Sequence, residues 1–397
     1  MDVAGFVAGL AERVLRANWT TGERDGVPFS YTRPSRRTYP WQWYWDSCFT
    51  AIVWRRFDPE RARAELETLL RGGRGDGFIG HTIFWHRPVS LLRSGFYNVR
   101  ERSSPATETI QPPLLGWAWR IAVGDPTDEP RIAAQAEWLL RNRDLDGDGL
   151  LWIVQPDESG LDSSPKFDPV WGRRAHGRLG FASLVRRNRR LRWDARAVLA
   201  AGGPLVCETL VNVLWCLSLL ALGRPSITPA IVERLYDPDR GLFCDEVRPG
   251  GARPAIETWA ALAPLALPDL PEEIGRRLVE EHLLDPRRFW LPVPPPSVAA
   301  TEATFQSDRS GGLFRRYWRG PSWINAAWLV WIGLVRLGYR DEAAAMTTAL
   351  RGAVLREGLR EYYHPISGAG LGAYDFGWSS LLLEMTDPDP AAARSYL

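Results

Sequence analysis

The sequence is poor in the residues that mark several common functions. Its 397 residues hold five histidines, four cysteines and three methionines. Lys166 is the only lysine among 49 basic residues. The histidines, His81, His86, His176, His282 and His364, fall in no HExxH or other zinc spacing. Cys48, Cys207, Cys216 and Cys244 are scattered without a CxxC, which reads as buried free thiols rather than a disulfide or metal site. No apolar run approaches the length of a membrane span. The N-terminus lacks the basic, apolar and small-residue order of a signal peptide. No GxxxxGK[ST] phosphate loop occurs. With 49 basic against 47 acidic residues, the +2 balance supplies no field for nucleic acid or an anionic membrane. A soluble, cytoplasmic protein without nucleic-acid or membrane partners is expected, with homo-oligomerisation open.

Helical periodicity and aromatics are what the chain has in quantity. Candidate helices fall near 2–18, 45–56, 58–72, 106–123, 127–143, 205–222, 227–236, 254–266, 270–283, 320–337, 340–356 and 375–385. Leu205–Leu222 and Pro321–Leu337 are apolar almost all round, so they are expected to be buried on several sides. Asp58–Arg71 and Asp341–Arg356 are amphipathic, and Asp58-Pro-Glu is an N-terminal helix signal. Alternating buried and half-exposed helices suggest two concentric layers. The pattern predicts an all-α fold, an (α/α)6 barrel with long active-site loops, as one catalytic domain over 1–397. Three long connections, 72–105, 144–203 and 286–320, interrupt it, and long ordered loops are commonly functional.

Carboxylates stand among aromatic rings in the second of those stretches and in two motifs outside them. Tyr39-Pro-Trp-Gln-Trp-Tyr-Trp-Asp46 places Asp46 beside Trp41, Trp43 and Trp45. Asp46 reads either as a helix cap or as a sugar ligand. Asp162, in Glu158-Ser-Gly-Leu-Asp162-Ser-Ser-Pro165, reads as a turn residue or as a general acid enclosed by Trp152, Phe167 and Trp171. Glu361, in Glu361-Tyr-Tyr-His-Pro-Ile-Ser-Gly-Ala-Gly370, reads as a surface charge or as a base held by tyrosine hydroxyls or His364. Two carboxyls supply the acid and base that glycoside cleavage needs, and aromatic faces cover the C–H face of a sugar. Phe96-Tyr-Asn-Val-Arg-Glu-Arg102 reads as a solvated loop or as a lid whose arginines pair with a substrate carboxylate. Asp144-Leu-Asp-Gly-Asp-Gly149 begins like a calcium loop, but position twelve is Gln155 and the flanking helix pair is absent, so a tight turn with Asp side chains on backbone N–H groups is the favoured reading.

Five blocks in order carry a resemblance: Tyr39–Phe49, Gln111-Pro-Pro113, Glu158–Pro165, Tyr317-Trp-Arg-Gly-Pro-Ser-Trp323-Ile-Asn325, and Glu361 through Gly377-Trp378. Together they resemble glycoside hydrolase family 63, most closely its bacterial mannosylglycerate hydrolases. That resemblance implies an (α/α)6 barrel, inversion at an α-linked sugar, and no cofactor. It implies Asp162 as general acid and Glu361 as general base. It places Tyr39, Trp41, Trp43, Trp45, Asp46, Gln111, Gly160, Tyr317, Trp323 and Trp378 around a small-molecule glycoside. Tyr97, Arg100 and Arg102 are candidates for the substrate carboxylate on composition alone. Trehalase-like or oligosaccharide α-glucosidase activity is the neighbouring alternative; a glycan-binding helical scaffold is the non-catalytic one.

Overall fold

The computed structural model describes residues 3–86, 97–101, 103–172, 178–307, 317–385 and 396. Within them, six helical segments pack in a closed ring. Helix Tyr44–Trp54 packs on helix Leu115–Ala122, which packs on helix Thr209–Ala221. Thr209–Ala221 packs on the 3₁₀ segment Trp259–Ala266, and that segment on helix Ile324–Arg336. Ile324–Arg336 packs on the 3₁₀ segment Gly377–Met385, which returns to Tyr44–Trp54. Sequence dictates this placement. Tyr44–Trp54, Trp259–Ala266 and Gly377–Met385 are buried at every residue, since they are largely apolar and buried polar side chains such as Ser47, Thr50, Ser379 and Glu384 are hydrogen-bonded.

Amphipathic helices cover the ring. Pro59–Arg71 lies on Tyr44–Trp54, Thr228–Leu235 on Thr209–Ala221, Arg340–Glu357 on Ile324–Arg336, and Val3–Asn18 on Gly377–Met385. Pro59–Arg71 turns Ala62, Leu66, Leu69 and Leu70 inward. The Asp58 carboxylate caps it, accepting the Arg61 N–H at 3.2 Å. One cluster of buried apolar side chains runs from Val7 to Tyr396. The four cysteines are buried and free, as their scatter suggested. No described helix is long and apolar enough to cross a membrane.

The protein is mainly helical but not purely so, and the departures have local causes. Leu205–Cys207, expected as the start of a helix, is a strand between Trp152–Ile153 and Glu246–Arg248. Glu208 then caps the helix through the Val211 N–H at 2.6 Å. Residues 254–266 yield only the 3₁₀ segment Trp259–Ala266, whose Pro264 lacks an N–H for an α-helical bond. The stretch 144–203 is not all connection. It contains helices Arg178–Arg190 and Ala195–Ala200, the second capped by Asp194 at 2.7 Å from the Ala197 N–H. Asp144 closes a tight turn, accepting from the N–H of Asp146, Gly147 and Gly149 at 3.2, 2.7 and 3.0 Å. Asp146 and Asp148 pair with Arg234 at 3.1 and 2.7 Å. Among the described residues, no three metal-ligating side chains converge on one point.

Candidate active site

A cavity of about 350 Å³ gathers side chains from segments far apart in sequence. Tyr39, Trp43, Trp45 and Asp46 line it from the start of the ring, Gln111 and Tyr97 from the loop before Leu115, Gly160 and Asp162 from the acidic turn, and Tyr317 and Trp378 from the C-terminal third.

Glu361 stands on strand Arg360–Tyr363, which forms a hairpin with Gly370–Tyr374. The register shifts between Arg360 and Tyr362, at Glu361 itself. Its Oε2 accepts the Ala373 N–H at 2.8 Å. Gly372, at φ 69°, makes that approach possible: a Cβ there would lie 2.5 Å from Glu361 Oε2. Oε1 accepts from the Tyr39 hydroxyl at 2.9 Å and from the Tyr317 hydroxyl in a short bond. Glu361 is 2% exposed, and its partners Tyr39 and Tyr317, rather than Glu361 itself, line the cavity. Burial, then the Glu361 charge, pushes the Tyr317 hydroxyl well above its ordinary range, so it remains a donor. Burial first and Glu361 second also push up Asp46, which lies in the first turn of Tyr44–Trp54. His364 serves its own turn instead, accepting from the N–H of Ile366 and Ser367 at 3.2 Å each.

The turn bearing Asp162 is built differently. Gly160 has φ 72°, and a Cβ on it would meet the Trp45 ring at 2.6 Å. Ser163 adopts φ 64°, the left-handed region that non-glycine residues seldom occupy. Asp162, between them, is exposed and lines the cavity. Trp152, Phe167 and Trp171, expected to enclose it, do not line the cavity, and Trp152 and Phe167 are fully buried in the core. Fixed contacts anchor the turn on either side. Before it, Glu158 and Arg143 form a buried bidentate pair at 2.5 and 2.8 Å, and Glu158 also accepts the N–H of Ile110 and Val154. After it, Lys166 reaches Asp245 at 3.0 Å and also bonds Glu208.

The other expected residues divide. Gln111 accepts the Trp45 N–H at 2.9 Å. Trp378 meets Trp45 edge-on at 5.4 Å and donates its indole N–H to the Glu361 carbonyl at 3.3 Å. Trp43 stands edge-on to Tyr39 and His81. Trp323 is fully buried behind the cavity, stacked 3.8 Å from Trp318 with Tyr317 against its edge. Trp41 packs edge-on to Phe84 and Tyr97 in a small cluster of its own. Arg100 borders a different cleft, paired with Glu108 at 3.1 Å. Arg102 and the adjoining Phe96 lie outside the described residues.

His81, Asn98 and Asp157 also line the cavity, and sequence reasoning passed over them. Asp157 immediately precedes a quoted block, and that adjacency was the available signal.

A carboxyl lining an aromatic cavity, and a second one buried behind and bonded to the tyrosines that line it, are the kind of pair that cleaves a sugar linkage, the chemistry of a glycoside hydrolase. The chain belongs to the mannosylglycerate hydrolase MGH1-like glycoside hydrolase family, whose model matches residues 39–226 and 224–379. It is 30% identical to the mannosylglycerate hydrolase of Thermus thermophilus, over 89% of this chain and 95% of that one. It is 29% identical to the mannosylglycerate hydrolase of Rubrobacter radiotolerans, over 94% of this chain and 95% of that one. The crystal structure of a GH63 mannosylglycerate hydrolase from Thermus thermophilus in complex with glucose matches with a TM-score of 0.78. That match has 28% identity and covers 95% of this chain and 99% of that one. The same enzyme in complex with Tris and D-glycerate gives 0.77 at the same identity and coverage.

Proposed function

We propose that this protein is an inverting α-glycosidase that hydrolyses 2-O-α-mannosylglycerate, and also glucosylglycerate, to the sugar and glycerate. The observation that carries the reading is the pairing of Asp162, which lines the cavity, with Glu361, bonded to the cavity-lining Tyr39 and Tyr317 and to the Ala373 N–H. Glu361 takes a proton from the attacking water. Asp162 gives one to the departing glycerate oxygen and recovers it from solvent. An inverting pair stands about 6.5–9.5 Å apart, leaving room for that water. Trp43, Trp45 and Trp378 cover the sugar's C–H faces while Asp46 and Gln111 take its hydroxyls. Trp41 and Trp323 support the wall from behind.

Tyr97 and Arg102 grip the glycerate carboxylate in this reading; Arg100 would first have to leave Glu108. The chemistry needs no cofactor or metal. The closed ring of helices and its outer layer support a single (α/α)6 barrel as the catalytic domain. Mannosylglycerate and glucosylglycerate are small diffusible substrates, which suits a cytoplasmic enzyme.

Comparing initial rates on mannosylglycerate, glucosylglycerate and trehalose tests the substrate. Faster turnover of the glycerate conjugates supports the reading. A preference for trehalose would move the assignment to a trehalase-like α-glucosidase.

A further inference from the structure

We infer that Asp157 is a specificity-determining residue, and that its carboxylate and His81 together bind one substrate hydroxyl. The inference rests on the reading of the cavity as a sugar site. Asp157 is 7% exposed and His81 5% exposed, and both line the cavity.

The hydrogen-bond network fixes what each offers. The Trp45 backbone N–H donates to Gln111 Oε1 at 2.9 Å. The Gln111 amide therefore turns its NH₂ toward His81 Nε2, at 2.9 Å. His81 must accept there, which puts its single proton on Nδ1. Burial holds the imidazole down to about 3, so it stays neutral.

Nδ1 faces Asp157 Oδ2 at 3.9 Å, too far for a direct bond. A hydroxyl oxygen about 2.8 Å from each atom would sit roughly 2 Å to one side of the line joining them, within reach of both. It would accept from Nδ1–H and donate to Oδ2, completing both groups. Asp157 is otherwise met by donors: the Gln155 amide at 2.5 Å on Oδ1 and the Asn98 amide, in a short bond, on Oδ2. These neighbours suit an acceptor.

The subsite is also pH-dependent. Burial, with the Glu158 charge adding to it, pushes Asp157 up to about 7 against the Gln155 and Asn98 bonds. The charged and titratable groups around it are His81, neutral; Glu158, paired with Arg143; and Asp162, on the same turn. Asp157 accepts the hydroxyl proton when ionised, so the bond is present above about pH 7 and lost as pH falls through it.

The test is calorimetric binding of mannose and its monodeoxy analogues to wild type, Asp157→Asn and Asp157→Ala, at about pH 5.5 and about pH 8, either side of the Asp157 titration. Alanine is included because an asparagine amide could face the Asn98 and Gln155 donors. We expect one deoxy sugar to bind wild type about tenfold or more weakly at the higher pH, the scale of a bond to a charged acceptor. That gap should shrink at the lower pH and vanish in both variants. A gap unchanged by substitution, or independent of pH, overturns the inference while leaving hydrolysis intact. Wild type that binds no sugar at all overturns both this inference and the proposed function.

Discussion

The hairpin carrying Glu361 and the turn carrying Asp162 meet the cavity differently: Glu361 through the tyrosines that line it, Asp162 by lining it itself. In the hairpin the carboxylate itself is fixed: three donors converge on it, and a glycine at 372 is what lets the backbone come close. In the turn the backbone is fixed, by Arg143–Glu158 before Asp162 and Lys166 after it, while the Asp162 side chain stays accessible. A base that must receive a proton from one ordered water gains from rigid placement. An acid that must reload after each turnover gains from access to solvent. The difference in construction thus matches the proposed roles of Glu361 as base and Asp162 as acid.

The comparison breaks most readily at the carboxyls themselves. Glu361→Gln and Asp162→Asn should each fold normally and lose roughly two orders of magnitude or more in kcat. A glycoside with a nitrophenolate leaving group, which departs without protonation, should restore Asp162→Asn but not Glu361→Gln. Equal rescue of both would erase the distinction.

Removing an anchor of the turn should act on stability. Arg143→Met leaves Glu158 buried without its partner, at a cost of about 3–5 kcal/mol read by denaturant unfolding. A loss under about 1 kcal/mol, the scale of an exposed pair, would mean the contact does not hold the turn. Gly160→Ala combines a positive φ with a Cβ pressed into Trp45. Its expected cost is roughly 1–3 kcal/mol, with activity falling alongside the melting temperature. The smallest effect falls on the hairpin. Tyr317→Phe removes one of the three donors to Glu361 and should lower kcat about tenfold, with KM little changed. A change in KM alone would make Tyr317 a substrate contact instead.

Much of the helical frame was legible because burial writes itself into composition. The all-round apolar stretch within 321–337 is a ring helix, and Asp58-Pro59 opens an outer one. Residues 205–207 were not legible, since a short apolar run fits a strand or a helix equally. The helix Arg178–Arg190 lies in a stretch crowded with arginine, where only Phe181, Leu184 and Val185 mark an apolar face. At the site, the carboxylates stood out because aromatics flank them in sequence. Asp157 and His81 have aromatics nearby too, but nothing in the sequence joins the two. They meet only because the fold brings residues 81, 98, 111 and 157 to one wall. The hairpin around Glu361 was read only as a loop, since its tight approach depends on a glycine eleven positions on.

The most direct test follows the anomeric proton of the sugar released from α-mannosylglycerate by NMR in the first minutes of reaction. Inversion by Glu361 and Asp162 predicts β-mannose first, with the α-anomer appearing only as the free sugar equilibrates. Early release of α-mannose would contradict the account, since it would require a retaining mechanism and a different role for Glu361.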